Sequence, residues 1–222
     1  MTNKLPLVLA FMCSFFFGFG QSIFTNPIIE NNISGNNLYT TNQVIDANIT
    51  VSGIGYVGVS GSNGIGIYNT KGWNSTAFDN TTYFEFKITP NSGYEIDFVS
   101  FVYTSQEHSS ITDFVFRSSV DNFISDIGTP ISGGTTIDLS AAAFQNITTE
   151  ITFRLYAWGA SNSSRSFGID NFTFNGTVPA LPSCVTTTTW NGSSWDTGIP
   201  NINTIAIIDG NYDTSNGTFE SC

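Results

Sequence analysis

Residues 83–105 read YFEFKITPNSGYEIDFVSFVYTS, and apolar and polar side chains alternate through them. In residues 81–89, Phe84, Phe86 and Ile88 share one parity while Tyr83, Glu85 and Lys87 share the other. After Pro90-Asn91-Ser92-Gly93, residues 94–104 set Ile96 and Phe98 against Glu95 and Asp97. A period of two is the signature of a strand with one buried face. The Pro-Asn-Ser-Gly punctuation predicts a hairpin between the two strands.

The same period extends in both directions. Residues 113–118 oppose Phe114 and Phe116 to Val115 and Arg117. Residues 150–158 place Ile151, Phe153, Leu155 and Ala157 on one face and Thr152, Arg154, Tyr156 and Trp158 on the other. In the last strand Phe167 and Ile169 share one parity, and Phe172 and Phe174 the opposite one. Burying all four demands an inserted residue, which predicts a β-bulge near Asp170-Asn171. Residues 50–69 are Gly-rich and read as short strands bent by glycine. Only residues 139–145 carry helix-forming composition. Many short strands with no helical spacers predict an all-β antiparallel sandwich of the jelly-roll type.

Residues 1–20 precede this domain and give it an address. Lys4 is followed by an apolar run over residues 5–19 that ends at Gly18-Phe19-Gly20. The run is short for a bilayer span and ends in small residues rather than a charged stop-transfer flank, so a signal peptide cleaved after Gly20 is expected. A lipoprotein anchor at Cys13 is disfavoured, because Met12 stands where a small residue is needed. The expected mature protein is secreted or surface-attached, with no membrane span. It carries five basic residues against seventeen acidic ones, a net charge of −12. Such a charge disfavours nucleic acid and anionic lipid as partners. Residues 21–178 are expected to form the sandwich and 179–183, around Pro179-Ala180-Leu181-Pro182, a linker. A short β-rich segment follows over 184–222. Cys184 and Cys222 remain after cleavage. In an oxidising compartment they form one disulfide, unless each stays free or Cys222 pairs with residues beyond this chain.

Chemistry is sparse. His108 is the sole histidine, in a loop, and no serine sits in a nucleophile elbow. Glu85, Glu95 and Asp97 occupy outward strand positions, where solvated carboxylates are ordinary. The glycine-rich residues 53–66 lack the helix and lysine of a phosphate loop. Asn-x-Ser/Thr sequons such as Asn74-Ser75-Thr76 follow from composition. No enzyme is expected. Arg154, Tyr156 and Trp158, together on the non-core face of one strand, are the candidate ligand-binding residues, with Tyr103, Trp73 and Lys71 as further candidates. Aromatic platforms stack on sugar rings while neighbouring polar groups bond hydroxyls, but cross-strand aromatics also stabilise sheets that bind nothing.

Residues 83–105, FVFRSSVDNF (114–123), FRLYAWGA (153–160) and FGIDNFTFNG (167–176) resemble, in that order, a β-sandwich module of secreted proteins from gliding, polysaccharide-degrading bacteria. TTTTWNGSSWDTGIPNINTIAIIDGNYDTSNGTFESC (186–222) resembles segments that follow such modules in large proteins exported by the type IX system. The resemblance implies a non-catalytic extracellular module serving adhesion or presentation within a longer protein, with 184–222 opening a second β-module. The alternative it implies is a carbohydrate-binding module beside a polysaccharide-degrading enzyme. Extracellular glycan or a surface protein is the expected partner. Similar modules hold structural calcium through an acidic residue in the last strand, and Asp170 is the matching position. No other cofactor is expected. Asp170 otherwise accepts backbone N–H groups at the bulge or pairs with Arg154 or Arg117.

Overall fold

The computed structural model describes residues 20–33 and 35–221. The predicted signal peptide, apart from Gly20, and Cys222 of the predicted disulfide lie outside the described residues. The chain is an all-β sandwich whose two large sheets are antiparallel. One sheet has four strands in the order β3 (Ile49–Val57), β6 (Tyr83–Pro90), β10 (Ile151–Trp158), β8 (Asp113–Ser118). The other has seven and is organised about β11 (Ser166–Thr177). β7 (Asp97–Glu107) runs along one edge of β11, with β9 (Gly134–Asp138) outside it. The opposite edge of β11 is shared by β5 (Tyr68–Lys71), flanked by β4 (Ser60–Gly61), and β1 (Gln21–Pro27), flanked by β2 (Val44–Ile45).

The predicted bulge is present. Register along β11 and β7 slips between Ile169 and Asn171, and Phe167, Ile169, Phe172 and Phe174 are all buried. Phenylalanines from the two sheets then meet in the core. Phe101 of β7 stacks on Phe116 of β8 at 4.6 Å, and Phe174 of β11 lies 5.1 Å from Phe153 of β10. Such ring pairs add to the burial of each aromatic side chain.

The predicted hairpin is not formed. β6 pairs with β3 and β10, whereas β7 pairs with β11 and β9, so the Pro90–Asp97 connection carries the chain from one sheet to the other. β6 buries Phe84, Phe86 and Ile88, whereas β7 buries Phe98 and, past a register slip, Phe101 and Tyr103, and the two strands do so from opposite sides of a single core. Alternation and turn chemistry are the same for a hairpin and for this arch, and pairing partners alone separate them.

Glycine does local work in β3. Its register slips between Val51 and Ile54, and Gly53 there has φ +88°, with its Cα close enough to residue 39 that a Cβ would lie 2.3 Å from Tyr39 O. Residues 139–145 contain only the 3₁₀ turn Ala142–Phe144. The expected linker is tied down in part: Leu181 N donates to Gly93 O and Glu95 N to Pro179 O. Beyond it, β12 (Thr186–Trp190) and β13 (Thr204–Ile208) form a separate two-stranded parallel sheet.

Candidate functional site

The outer face of the four-stranded sheet collects the charged and aromatic residues that the core parity turns away. Across β6, β10 and β8 the register aligns Tyr83, Tyr156 and Val115 in one row and Glu85, Arg154 and Arg117 in the next. Two arginines therefore stand directly opposite each other, an arrangement that repels unless each is compensated. Arg154 Nε donates to Glu85 Oε2 at 3.0 Å, and Lys87 Nζ lies 3.5 Å from Glu85 Oε1. Arg117 Nε donates to Asp126 Oδ1 at 2.7 Å, and its Nη1 to Phe123 O at 3.0 Å.

Two loops lean over this row. Phe78, from the loop before β6, lies 5.3 Å from the Tyr156 ring and 5.6 Å from Trp158, with the Arg117 guanidinium 4.3 Å from its centroid. Phe123, from the loop after β8, lies 3.8 Å from the Arg154 guanidinium, and Tyr83 lies 4.1 Å from it. Between the loops is an open cleft of about 350 Å³ lined by Phe78, Asn80, Arg117, Asn122, Phe123, Ile124, Arg154 and Tyr156.

The second loop is held in an unusual backbone form. Asn122 and Phe123 have φ 60° and 61°, consecutive left-handed residues. Asparagine tolerates that region, but a phenylalanine there costs roughly 1–3 kcal/mol. One cation–π contact returns about 0.5–2 kcal/mol, so the Arg154 contact alone does not decide the conformation. Backbone bonds add to it: Phe123 N donates to Ser118 O, and Asp121 accepts from Ile124 N and Ser125 N. Ser125 side-chain and backbone donors hold the Asp121 carboxyl below its usual range.

Of the residues singled out in the sequence, Arg154 and Tyr156 line the cleft. Trp158 stands one step along the strand, in contact with Phe78. Tyr156 is only 1% exposed, so it has no free ring face, and burial raises its pKa. Burial acts to lower the Arg154 pKa, but hydrogen bonds to Tyr156 and Glu85 outweigh it and the pKa is raised. Arg154 therefore stays charged. Trp73 and Tyr103 are core residues, and Lys71 belongs to the other sheet. Arg117, Phe78 and Phe123 are site residues that sequence reasoning missed. Arg117 shares outward parity with Arg154, but only register brings the two together.

Asp170 sits at the bulge of β11. Its side chain accepts from Gln106 Nε2 at 2.8 Å, and its backbone oxygen accepts from Ile28 N. Arg117 and Arg154 belong to the other sheet and pair with Asp126 and Glu85. Burial, with a smaller contribution from the Glu107 charge, raises the Asp170 pKa. Glu107 accepts from Ser105 Oγ, Ser132 Oγ and Gly133 N. Among the described residues, no group of three or more His, Cys, Asp or Glu side chains gathers to hold a metal.

The remaining titratable candidates are dispersed. His108 Nδ1 is 2.9 Å from Ser110 Oγ within its own loop. Glu85 belongs to one sheet and Asp97, which accepts from Asn146 N, to the other. No described helix is long and apolar enough to cross a membrane. No family model, curated protein or solved structure matches the chain.

Proposed function

We propose that this chain is an exported, non-catalytic β-sandwich module that serves adhesion by holding an extracellular carbohydrate on the outer face of its four-stranded sheet. The supporting observation is the cleft in which Arg117 and Arg154 meet Phe78 and Phe123, with Asn80 and Asn122 at its rim. Rings offer apolar faces to a sugar, while guanidinium and amide groups bond its hydroxyls. The left-handed backbone at Asn122–Phe123 favours a binding role, since strain of this kind concentrates at ligand clamps. Export through a signal peptide, a Cys184–Cys222 disulfide and membership of a larger type IX-exported protein belong to the same reading.

The test is a glycan and polysaccharide screen on the full chain, in calcium and again in EDTA. Binding that weakens about tenfold in Phe78→Ala, the loss of one stacked ring, supports the site. Unchanged folding would be shown by near-UV circular dichroism. Silence in both conditions would sink the carbohydrate reading and leave a presentation scaffold. Loss of binding in EDTA would bring calcium at Asp170 into the account.

A further inference from the structure

The lining of the cleft holds two arginines and no carboxylate, on a chain that is strongly acidic. The whole sequence has six Lys and Arg against seventeen Asp and Glu. Three of those six, Lys87, Arg117 and Arg154, stand on one sheet face, Lys87 and Arg154 sharing Glu85 and Arg117 paired with Asp126. Among the described residues two carboxylates, Glu85 and Asp126, form ion pairs with them there. Both take the Nε of an arginine; Arg117 Nη1 also donates to Phe123 O and Arg154 also bonds Tyr156, which still leaves further Nη hydrogens on each guanidinium. The acidic residues of the two loops are occupied locally: Asp79 accepts from Thr81, and Asp121 from Ile124 and Ser125. A neutral sugar does not require two guanidiniums placed directly across a strand pair. A planar carboxylate matches them, because guanidinium donors bond it in forked pairs.

We propose that the cleft binds the carboxylate of a uronic-acid residue in an acidic polysaccharide, held between the Nη donors of Arg117 and Arg154 beside the rings of Phe78 and Phe123. This rests on the carbohydrate reading above and narrows it to a class. The net charge of the chain repels a polyanion at long range while the two arginines attract its carboxylate at short range, and salt screens both, so recognition is local.

The experiment is titration calorimetry of the full chain with polygalacturonate and with the same polymer fully methyl-esterified. Carrageenan, a sulfated polymer, serves as the polyanion control. The acid is expected to bind at least about tenfold tighter than the ester, and Arg117→Gln to cost about tenfold for the acid, one charge-assisted pair. Lys71→Gln, on the other sheet, should change nothing. Equal binding of acid and ester would overturn the carboxylate assignment while leaving the carbohydrate reading standing. Carrageenan binding as tight as polygalacturonate would overturn it in favour of a general polyanion surface. If none of the polymers binds, and alginate also fails, the uronic-acid assignment falls, and the carbohydrate reading falls with it only if the neutral polysaccharides of the screen above are silent too. The ester comparison uses the unaltered protein, so it decides even if Arg117→Gln does not fold.

Discussion

In the sandwich, Phe153 is fully buried and touches rings from both sheets, among them Phe98, Phe116 and Phe174. In the C-terminal parallel pair, Ile205, Ile207 and Ile208 of β13 are 42%, 47% and 51% exposed. The first region has two layers facing each other, so each strand's apolar parity finds a partner layer. The second has, among the described residues, two strands and no facing sheet, and a lone pair of strands is marginal in water. It is held by other means. Trp190, Trp195, Tyr212 and Phe219 form a small aromatic cluster. Thr188 Oγ1 bonds Asp196 Oδ1 and Gly198 O, tying the connection between the strands back to β12. Similar apolar content thus yields a core in one place and a thin, polar-laced unit in the other. What differs is the second layer, not the hydrophobicity.

The largest expected effect tests the core. Phe153→Ala should lower the unfolding free energy by about 3–5 kcal/mol, the usual result of removing a buried ring. Urea denaturation followed by far-UV circular dichroism measures it. A loss under 1 kcal/mol would mean that the two layers do not share one core. Trp190→Ala should act on the other region alone. The main transition is expected to move by less than about 0.5 kcal/mol, as for well-separated sites. Amide exchange should rise in residues 186–208 and stay unchanged in β6, β10 and β11. Increased exchange in those three strands would show the two regions to be one cooperative unit.

The regular strands were legible where parity was clean. β8 spans the predicted residues, and β10 begins one residue later. The bulge at Asp170 was legible because four apolar residues of mixed parity left no other way to bury them. β1 was not: Ile23 and Phe24 are adjacent and both buried, because the register slips between Ser22 and Phe24. An irregular strand erases its own period. β9 was missed because GTTID has only one large apolar residue, Ile137, which is buried. The site was half legible. Outward parity marks Arg154, Tyr156 and Trp158, but which strand lies beside β10 is a long-range fact. Phe78 and Phe123 sit in loops where no period applies, and their role depends on loops folding back over the sheet.

The smallest effect separates the two regions by pH. Asp170 in the sandwich has a pKa raised mainly by burial. Asp196 beside β12 has its pKa lowered, chiefly by the backbone N–H of Thr189. Both start from an ordinary value of 3.8. For Asp170 the folded state holds its proton more tightly than the unfolded state. Its ionised form therefore weighs against the sandwich at neutral pH, and that penalty fades as pH falls through the folded pKa toward 3.8. For Asp196 the contribution is stabilising above 3.8 and is lost as pH falls through a folded pKa below that value. Asp170→Asn, which keeps an acceptor for Gln106, should raise the midpoint of thermal unfolding slightly at pH 7 and leave it unchanged near pH 3. Asp196→Asn should loosen β12 at pH 7, read as faster exchange of the Thr189 amide, and make little difference once the wild-type carboxyl is protonated. Equal pH responses in the two regions would remove the electrostatic side of the contrast and leave only the missing layer to explain it.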